Sequence, residues 1–236
     1  MADTSQLNLP LLSPSQAQKH VTVNEALVRL DGLTQLVLAS RSVTLPPGAV
    51  ADGVSYAVPA GAVNDWAGQE GKVATAANGG WVFAAPKRGW RAFIADESLG
   101  ALWDGAGWAA GAVALSAHGA GTVLRVDEFD HAIAPGASSL TTGRIGAGRM
   151  VIAVTARVLA PVTGTLAAWR LGTAGATDRF GSGLGLAAGS YARGMLSAPM
   201  TYWAAEPLVL TAEGGAFAGG QVRLAVHALD LLLPGV

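Results

Sequence analysis

Met150-Val151-Ile152-Ala153-Val154-Thr155-Ala156-Arg157-Val158 is the stretch that decides the fold. Val151, Ala153, Thr155 and Arg157 alternate with Ile152, Val154, Ala156 and Val158. A side-chain period of two is that of a strand, with successive residues on opposite faces. Gly164–Leu171, Pro207–Thr211 and Gln221–Leu229 read in the same way. Glycine-rich turns fall between them at Gly143–Gly148, Gly172–Gly175, Gly181–Gly189 and Gly214–Gly220. About eight such strands over residues 122–236 predict an antiparallel β-sandwich of the jelly-roll type. No long helical pattern interleaves them, which excludes a parallel α/β arrangement.

Working back toward the N-terminus, Gly- and Ala-rich residues 111–121 read as a linker. Residues 40–110 read as a small β-meander module. Val54–Val58 alternates. Gly71–Thr75, the turn Asn78-Gly79-Gly80 and Trp81–Phe83 form a predicted hairpin. Gly89–Ile94 and Leu102–Trp108 read as further strands around tight turns. Five of the seven tryptophans (Trp66, Trp81, Trp90, Trp103 and Trp108) lie in this module. So small a unit needs large side chains to fill a core. The predicted class is therefore mainly β, preceded by one helix.

That helix is announced by Leu11-Leu12-Ser13-Pro14-Ser15-Gln16-Ala17-Gln18-Lys19-His20. Ser13 suits an N-cap, Pro14 the first helical position, and Gln16 completes the capping-box spacing. The helix is expected over residues 13–39, after an extended arm at 1–12. Val23, Ala26, Leu30, Leu33 and Val37 would form one apolar seam fit for joining copies of the chain. Packing on the chain's own sheet is the alternative. Gly32 weakens such a helix by about 1 kcal/mol relative to Ala.

Composition narrows the function. Charged residues make up only 13% of the 236 residues and hydrophobic ones 51%, whereas soluble domains average about 25% charged. A surface so poor in charge suits burial against other subunits. The net charge of −1 argues against nucleic acid. The absence of cysteine excludes disulfides and thiolate metal sites. The polar start Met1–Gln6 is not expected to be a secretory signal, and no apolar run is long enough to span a membrane.

No catalytic motif stands out. Gly183-Leu184-Gly185-Leu186-Ala187-Ala188 matches a dinucleotide-binding spacing but lacks the helix that would hold a pyrophosphate. The four histidines (His20, His118, His131 and His227) show no metal-ligand spacing. Asp127-Glu128-Phe129-Asp130 reads as a solvated acidic turn, and no carboxylate pair is selected for glycosidase chemistry. No cofactor, metal or catalytic residue is therefore expected. The aromatic and charged residues near the glycine-rich loops are more telling. Trp169, Asp178, Arg179, Tyr191 and Arg193 are the candidate glycan-binding residues, since sugars stack on aromatic faces while charged groups fix their hydroxyls. Tyr202-Trp203 shares this character, with the core as the competing place for Trp169 and Trp203.

The segment Ser13–Ala26 resembles the opening signature of an uncharacterised domain family of alphaproteobacterial prophages and gene transfer agents. The similarity continues through Gly53-Val54-Ser55-Tyr56, Trp66–Gly71, Gly80–Phe83, Pro86–Trp90 and Trp103-Asp104-Gly105, and so covers residues 9–110. Trp169–Gly172 and Arg179–Gly185 are similar to the C-terminal part of longer members. The resemblance implies a fibre or head-spike component of a virion-like particle. It implies a homotrimer whose N-terminal part attaches to capsid or tail proteins. Its distal β domain (residues 122–236) would bind host capsular polysaccharide or a further spike subunit. Such a component would assemble in the bacterial cytoplasm and be released on the particle surface, with neither nucleic-acid binding nor membrane insertion. The alternatives are a purely structural spike-base adaptor and a polysaccharide depolymerase.

Overall fold

The computed structural model describes residues 3–13 and 19–235. The chain divides into two compact units, Met1–Gly121 with Pro234–Val236, and Thr122–Leu233.

The first unit opens with α1 (Lys19–Leu33) and continues through β1 (Val37–Leu38), β2 (Ser55–Ala57), β3 (Val73–Ala77), β4 (Gly80–Ala84), β5 (Arg91–Ile94), β6 (Leu99–Trp103), β7 (Trp108–Ala110) and β8 (Ala112–Leu115). Seven of these strands form one sheet in the order β4-β3-β2-β1-β5-β6-β7. The predicted hairpin is β3–β4, turned by Asn78 and Gly79, both at positive φ (51° and 75°). Two positive φ values at the turn centre match the twist of the flanking strands.

Two expectations are corrected here. The helix ends at Leu33, not Ala39. Gln35 takes a left-handed backbone (φ 52°), and Leu36-Val37-Leu38 leave the helix to become the centre of the sheet. β1 pairs in parallel with both β2 and β5, and Leu38 is 0% exposed. Val37 therefore lies on a strand and not on a helical seam. Residues 111–121 are likewise more than a linker, since they hold β8.

The arm is not extended either. Asp3 bridges Pro10 across a turn, and the loop is tied to the helix by the buried carboxylate of Asp31. That carboxylate accepts from the Thr4 hydroxyl (2.7 Å) and from the amides of Gln6 (3.0 Å) and Leu7 (2.7 Å). Asn24 holds the far end, its side chain both accepting from and donating to the backbone of Leu12. Of the predicted cap, Pro14 and Gln16 lie outside the described residues. Gly32 proves to be a packing device. A Cβ there would stand 2.8 Å from the Thr75 side chain, so α1 lies directly on β3.

Both faces of the seven-stranded sheet carry a core. Leu36, Leu38, Val73, Ile94, Trp103 and Trp108 fill one side. Trp66, Val58 and Ala74 fill the other, with Tyr56 tilted against Trp66 at a centroid distance of 5.4 Å and Trp81 meeting it edge to face at 5.0 Å. The neighbours Val73 and Ala74 face opposite sides, as the strand period requires.

The second unit holds β9 (Gly121–Ala132), β10 (Ser138–Ile145), β11 (Arg149–Gly164), β12 (Ala168–Thr173), β13 (Ala176–Leu184), β14 (Tyr191–Tyr202), β15 (Glu206–Glu213) and β16 (Phe217–Leu232). One sheet runs β10-β15-β12-β13, and the other contains β14-β11-β16-β9. The pairs β12–β13, β11–β14, β10–β15 and β9–β16 are successive rungs of one long hairpin. The hairpin is rolled up so that β11 also meets β16 and β12 also meets β15. That is a jelly roll. Its core interleaves Ile145, Trp169, Leu171, Phe180, Leu208 and Leu210 from one sheet with Val154, Ala156, Val158, Val222, Leu224 and Val226 from the other. Gly194 on β14 is required by this closeness, because a Cβ there would stand 2.3 Å from the Phe180 carbonyl oxygen.

The acidic cluster is not a turn but part of β9. Asp127 pairs with Arg149, and Asp130 pairs with Arg223 at 2.6 Å. Between them and the β9–β10 connection, His131 is buried. Its Nε2 lies 2.8 Å from the Ser139 hydroxyl, which also accepts from the Ala134 amide (2.9 Å).

Two outcomes follow. Asp31→Ala leaves three donors without their acceptor and is expected to cost about 2–3 kcal/mol in urea unfolding. The amides of Gln6 and Leu7 should lose hydrogen-exchange protection at the same time. Burial holds the His131 imidazole below its ordinary pKa of 6.5. The unfolded chain then takes up a proton that the folded chain resists. This contribution is complete above pH 6.5 and is lost as the pH falls below it. Urea titrations between pH 7.5 and 5 should show a slope in excess of that of His131→Gln, by at most about 1.4 kcal/mol per pH unit.

Candidate functional site

The outer face of the β14-β11-β16-β9 sheet is built by register. Arg157 of β11 lies opposite Tyr191 of β14 on one side and Arg223 of β16 on the other. In the next outward-facing row Thr155 lies between Arg193 and Ala225, and in the next Ala153 lies between Met195 and His227. Cross-strand neighbours stand about 4.5–5.5 Å apart at Cβ, so these side chains share one surface.

Tyr191 is 59% exposed, and two guanidiniums approach its ring, Arg157 at 5.8 Å and Arg193 at 5.6 Å from the centroid. Neither arginine has an ion-pair partner among the described residues, whereas Arg223 is held by Asp130 and Glu128. The Asp130 hydrogen bond raises the Arg223 pKa, and Arg223 in turn lowers that of Asp130. Together with Glu128, these side chains frame an open groove of ≈ 480 Å³. Beyond it the face turns apolar. Leu124, Val126, Ile152 and Met195 surround His227, whose Nε2 lies 3.1 Å from the Thr155 hydroxyl.

A second cleft of ≈ 420 Å³ lies where β14 runs into β15. It is lined by Thr173, Arg179, Met200, Tyr202, Trp203 and Glu206, among others. Trp203 is 84% exposed there.

The sequence-predicted glycan residues thus separate. Tyr191 and Arg193 come together in the groove, and Arg179 belongs to the second cleft. Asp178 is exposed on β13 and lines neither. Trp169 is corrected outright. It is 1% exposed in the core, with its indole N–H donating to the Gly185 carbonyl at 3.0 Å, so no sugar can stack on it. Trp203, for which the core was an open alternative, is the exposed tryptophan. Arg157, Arg223 and Glu128 were missed. They come from three other strands, and the one signal in the sequence is the period-two pattern of β11, which groups Arg157 with Thr155. Of the seam residues, Val23, Ala26 and Leu30 are exposed on α1, while Leu33 packs on the first unit's core.

Among the described residues no three His, Asp or Glu side chains are grouped to hold a metal ion. No described helix is long and apolar enough to cross a membrane.

Residues 23–109 match the model of a family described as "Protein of unknown function (DUF2793)", from within α1 to within β7. No curated protein matches the chain. Among solved structures it is similar to a chain of the "Cyanophage Pam1 capsid asymmetric unit", at 21% identity and a TM-score of 0.37. The similarity covers 50% of this chain and 92% of that one.

Proposed function

We propose that this chain is a structural, non-enzymatic component of a phage-like particle (a gene transfer agent, on the sequence resemblance), working as a fibre or head spike. In this reading it forms a homotrimer through the exposed Val23-Ala26-Leu30 face of α1. Its first unit attaches to capsid or tail proteins, and its second unit meets cell-surface polysaccharide. The particle context rests on the resemblance of residues 9–110 to prophage proteins.

The observation that carries recognition is the groove around Tyr191. An exposed aromatic ring offers a face to the C–H surface of a sugar. The two arginines without ion-pair partners, with Glu128 beside them, offer donors and an acceptor to its hydroxyls. Affinity per groove would be weak, and repetition over a particle would raise avidity by roughly 10²–10⁴. A second reading, an adaptor that docks a further spike protein, is favoured by the apolar half of the same face. Binding of the purified chain to host cells separates the two, since an adaptor would not bind.

The purified chain at micromolar concentration is expected to show the mass of three copies in solution. A stable monomer would remove the trimer. In pull-downs on isolated capsule, Tyr191→Ala and Arg193→Ala should each reduce the bound fraction by about tenfold. Retention at the parental level would show that the groove is not the site.

A further inference from the structure

The cleft between β14 and β15 contains polar groups that the fold itself does not use. Tyr202 is 7% exposed, and its ring belongs to the jelly-roll core. Its hydroxyl is within reach of the Thr173 side chain, with Arg179 and Glu206 nearby, but at strict hydrogen-bond geometry it has no partner among the described residues. A buried hydroxyl without a partner is costly, and native structures rarely leave one unless something else completes it. The Nε–H of Arg179 is buried and unpartnered as well. The guanidinium's recorded contact is from Nη1 to the Met200 sulfur at 2.8 Å, a poor acceptor for a charged donor. No carboxylate among the described residues forms an ion pair with it, although Glu206 lines the same cleft. Beside these groups Trp203 presents its indole almost wholly to solvent.

We infer that this cleft binds an acidic monosaccharide unit of a polysaccharide, one that carries a carboxylate. The inference rests on the polysaccharide reading above but concerns a different site. The planar fork of Arg179, half-buried with its Nε–H enclosed, matches a carboxylate, and a neutral sugar would leave it without a charged partner. The indole of Trp203 stacks on the apolar face of the pyranose ring, as aromatic platforms do where a ligand is apolar on one side and wet on the other. The Tyr202 hydroxyl and the Glu206 carboxylate complete the contacts, one able to donate and the other accepting only. The cleft is built from the β12–β13 turn, the strands β13, β14 and β15, and the bend at Trp203. It is therefore held by the sandwich edge and not by a free loop. A site whose buried groups expect a particular partner discriminates strongly against a ligand lacking it.

The test uses the full chain and a panel of oligosaccharides in acidic and neutral pairs, such as tri-galacturonate and its methyl ester, with glucuronate, mannuronate and neuraminate oligomers. Binding is read by titration calorimetry and by tryptophan emission, which should shift to the blue as Trp203 is covered. At least one acidic member is expected to bind, and its esterified form should bind at least about tenfold more weakly. Arg179→Lys keeps the charge but loses the fork, and Tyr202→Phe keeps the core ring. Each should weaken binding by about five- to tenfold, and Trp203→Ala by about tenfold or more. Circular dichroism and the unfolding midpoint report whether each variant is folded.

Equal affinity for acid and ester overturns the inference. So does binding of neutral sugars only, which leaves the polysaccharide reading intact. Acidic binding abolished by Tyr191→Ala and unmoved by Arg179→Lys and Trp203→Ala assigns the ligand to the groove and also overturns it. No binding to any member, with no binding to whole capsule, overturns both readings together.

Discussion

The structure of the second unit depends on one constraint. Between Ala153 and Val158, β11 must keep alternate side chains against the opposite sheet while β16 and β14 pair with it on either side. Val154, Ala156 and Val158 face the core; Thr155 and Arg157 face out. A slip of one residue would drive Arg157 into a packed interior and expose three valines or alanines to water. The same constraint positions the outer surface. Because Arg157 must lie opposite both Tyr191 and Arg223, the groove is a by-product of the register that fills the core. The shift in register near Val151 and Ala153, on both neighbours of β11, marks where the face changes from arginine-rich to apolar.

The first unit rests on a smaller device. A two-residue strand, Val37-Leu38, bridges two antiparallel sets of strands, β4-β3-β2 and β5-β6-β7, by pairing in parallel with each. It has few hydrogen bonds of its own, so its position depends on what surrounds it. Leu38 is enclosed by the core below, and the helix just before it is pinned through Gly32 on Thr75. Asp31 gathers the N-terminal turn onto that same helix end. The helix is therefore committed to its own sheet along one side, and only the Val23-Ala26-Leu30 side remains for another chain.

These details show why some of the molecule could be read from the sequence and some could not. Alternation in Met150–Val158 is a local property, and it was enough for the sandwich because long strands with one buried face admit few other uses. Asn78-Gly79 was legible for the same reason, since two consecutive positive φ values leave little choice of residue. β1 was misread because Leu33, Leu36 and Val37 also fit a helical spacing. The residue that breaks the helix, Gln35, carries no compositional signal for a left-handed backbone. The N-terminal arm misled because Asp31 is some 25 residues from the amides it accepts. Trp169 and Trp203 exchanged roles because both sit next to turns. Only the partner strands decide which one faces Leu171 and Phe180 and which one faces water.

Charge places the two candidate sites in a common frame. The second unit contains eight arginines and no lysine. Four of them (Arg125, Arg149, Arg170 and Arg223) are held by carboxylates. Of the remaining four, Arg144 is exposed on β10, Arg157 and Arg193 flank an exposed tyrosine, and Arg179 lines the cleft of an exposed tryptophan. Exposed ion pairs contribute little to stability, so leaving Arg157 and Arg193, both exposed, without a carboxylate costs the fold little. Each keeps its hydrogen-bonding capacity for a ligand. A polar ligand that approaches Trp203 meets a guanidinium whose Nε–H is already buried, where an added hydrogen bond is stronger than in open water; one that approaches Tyr191 meets two exposed guanidiniums.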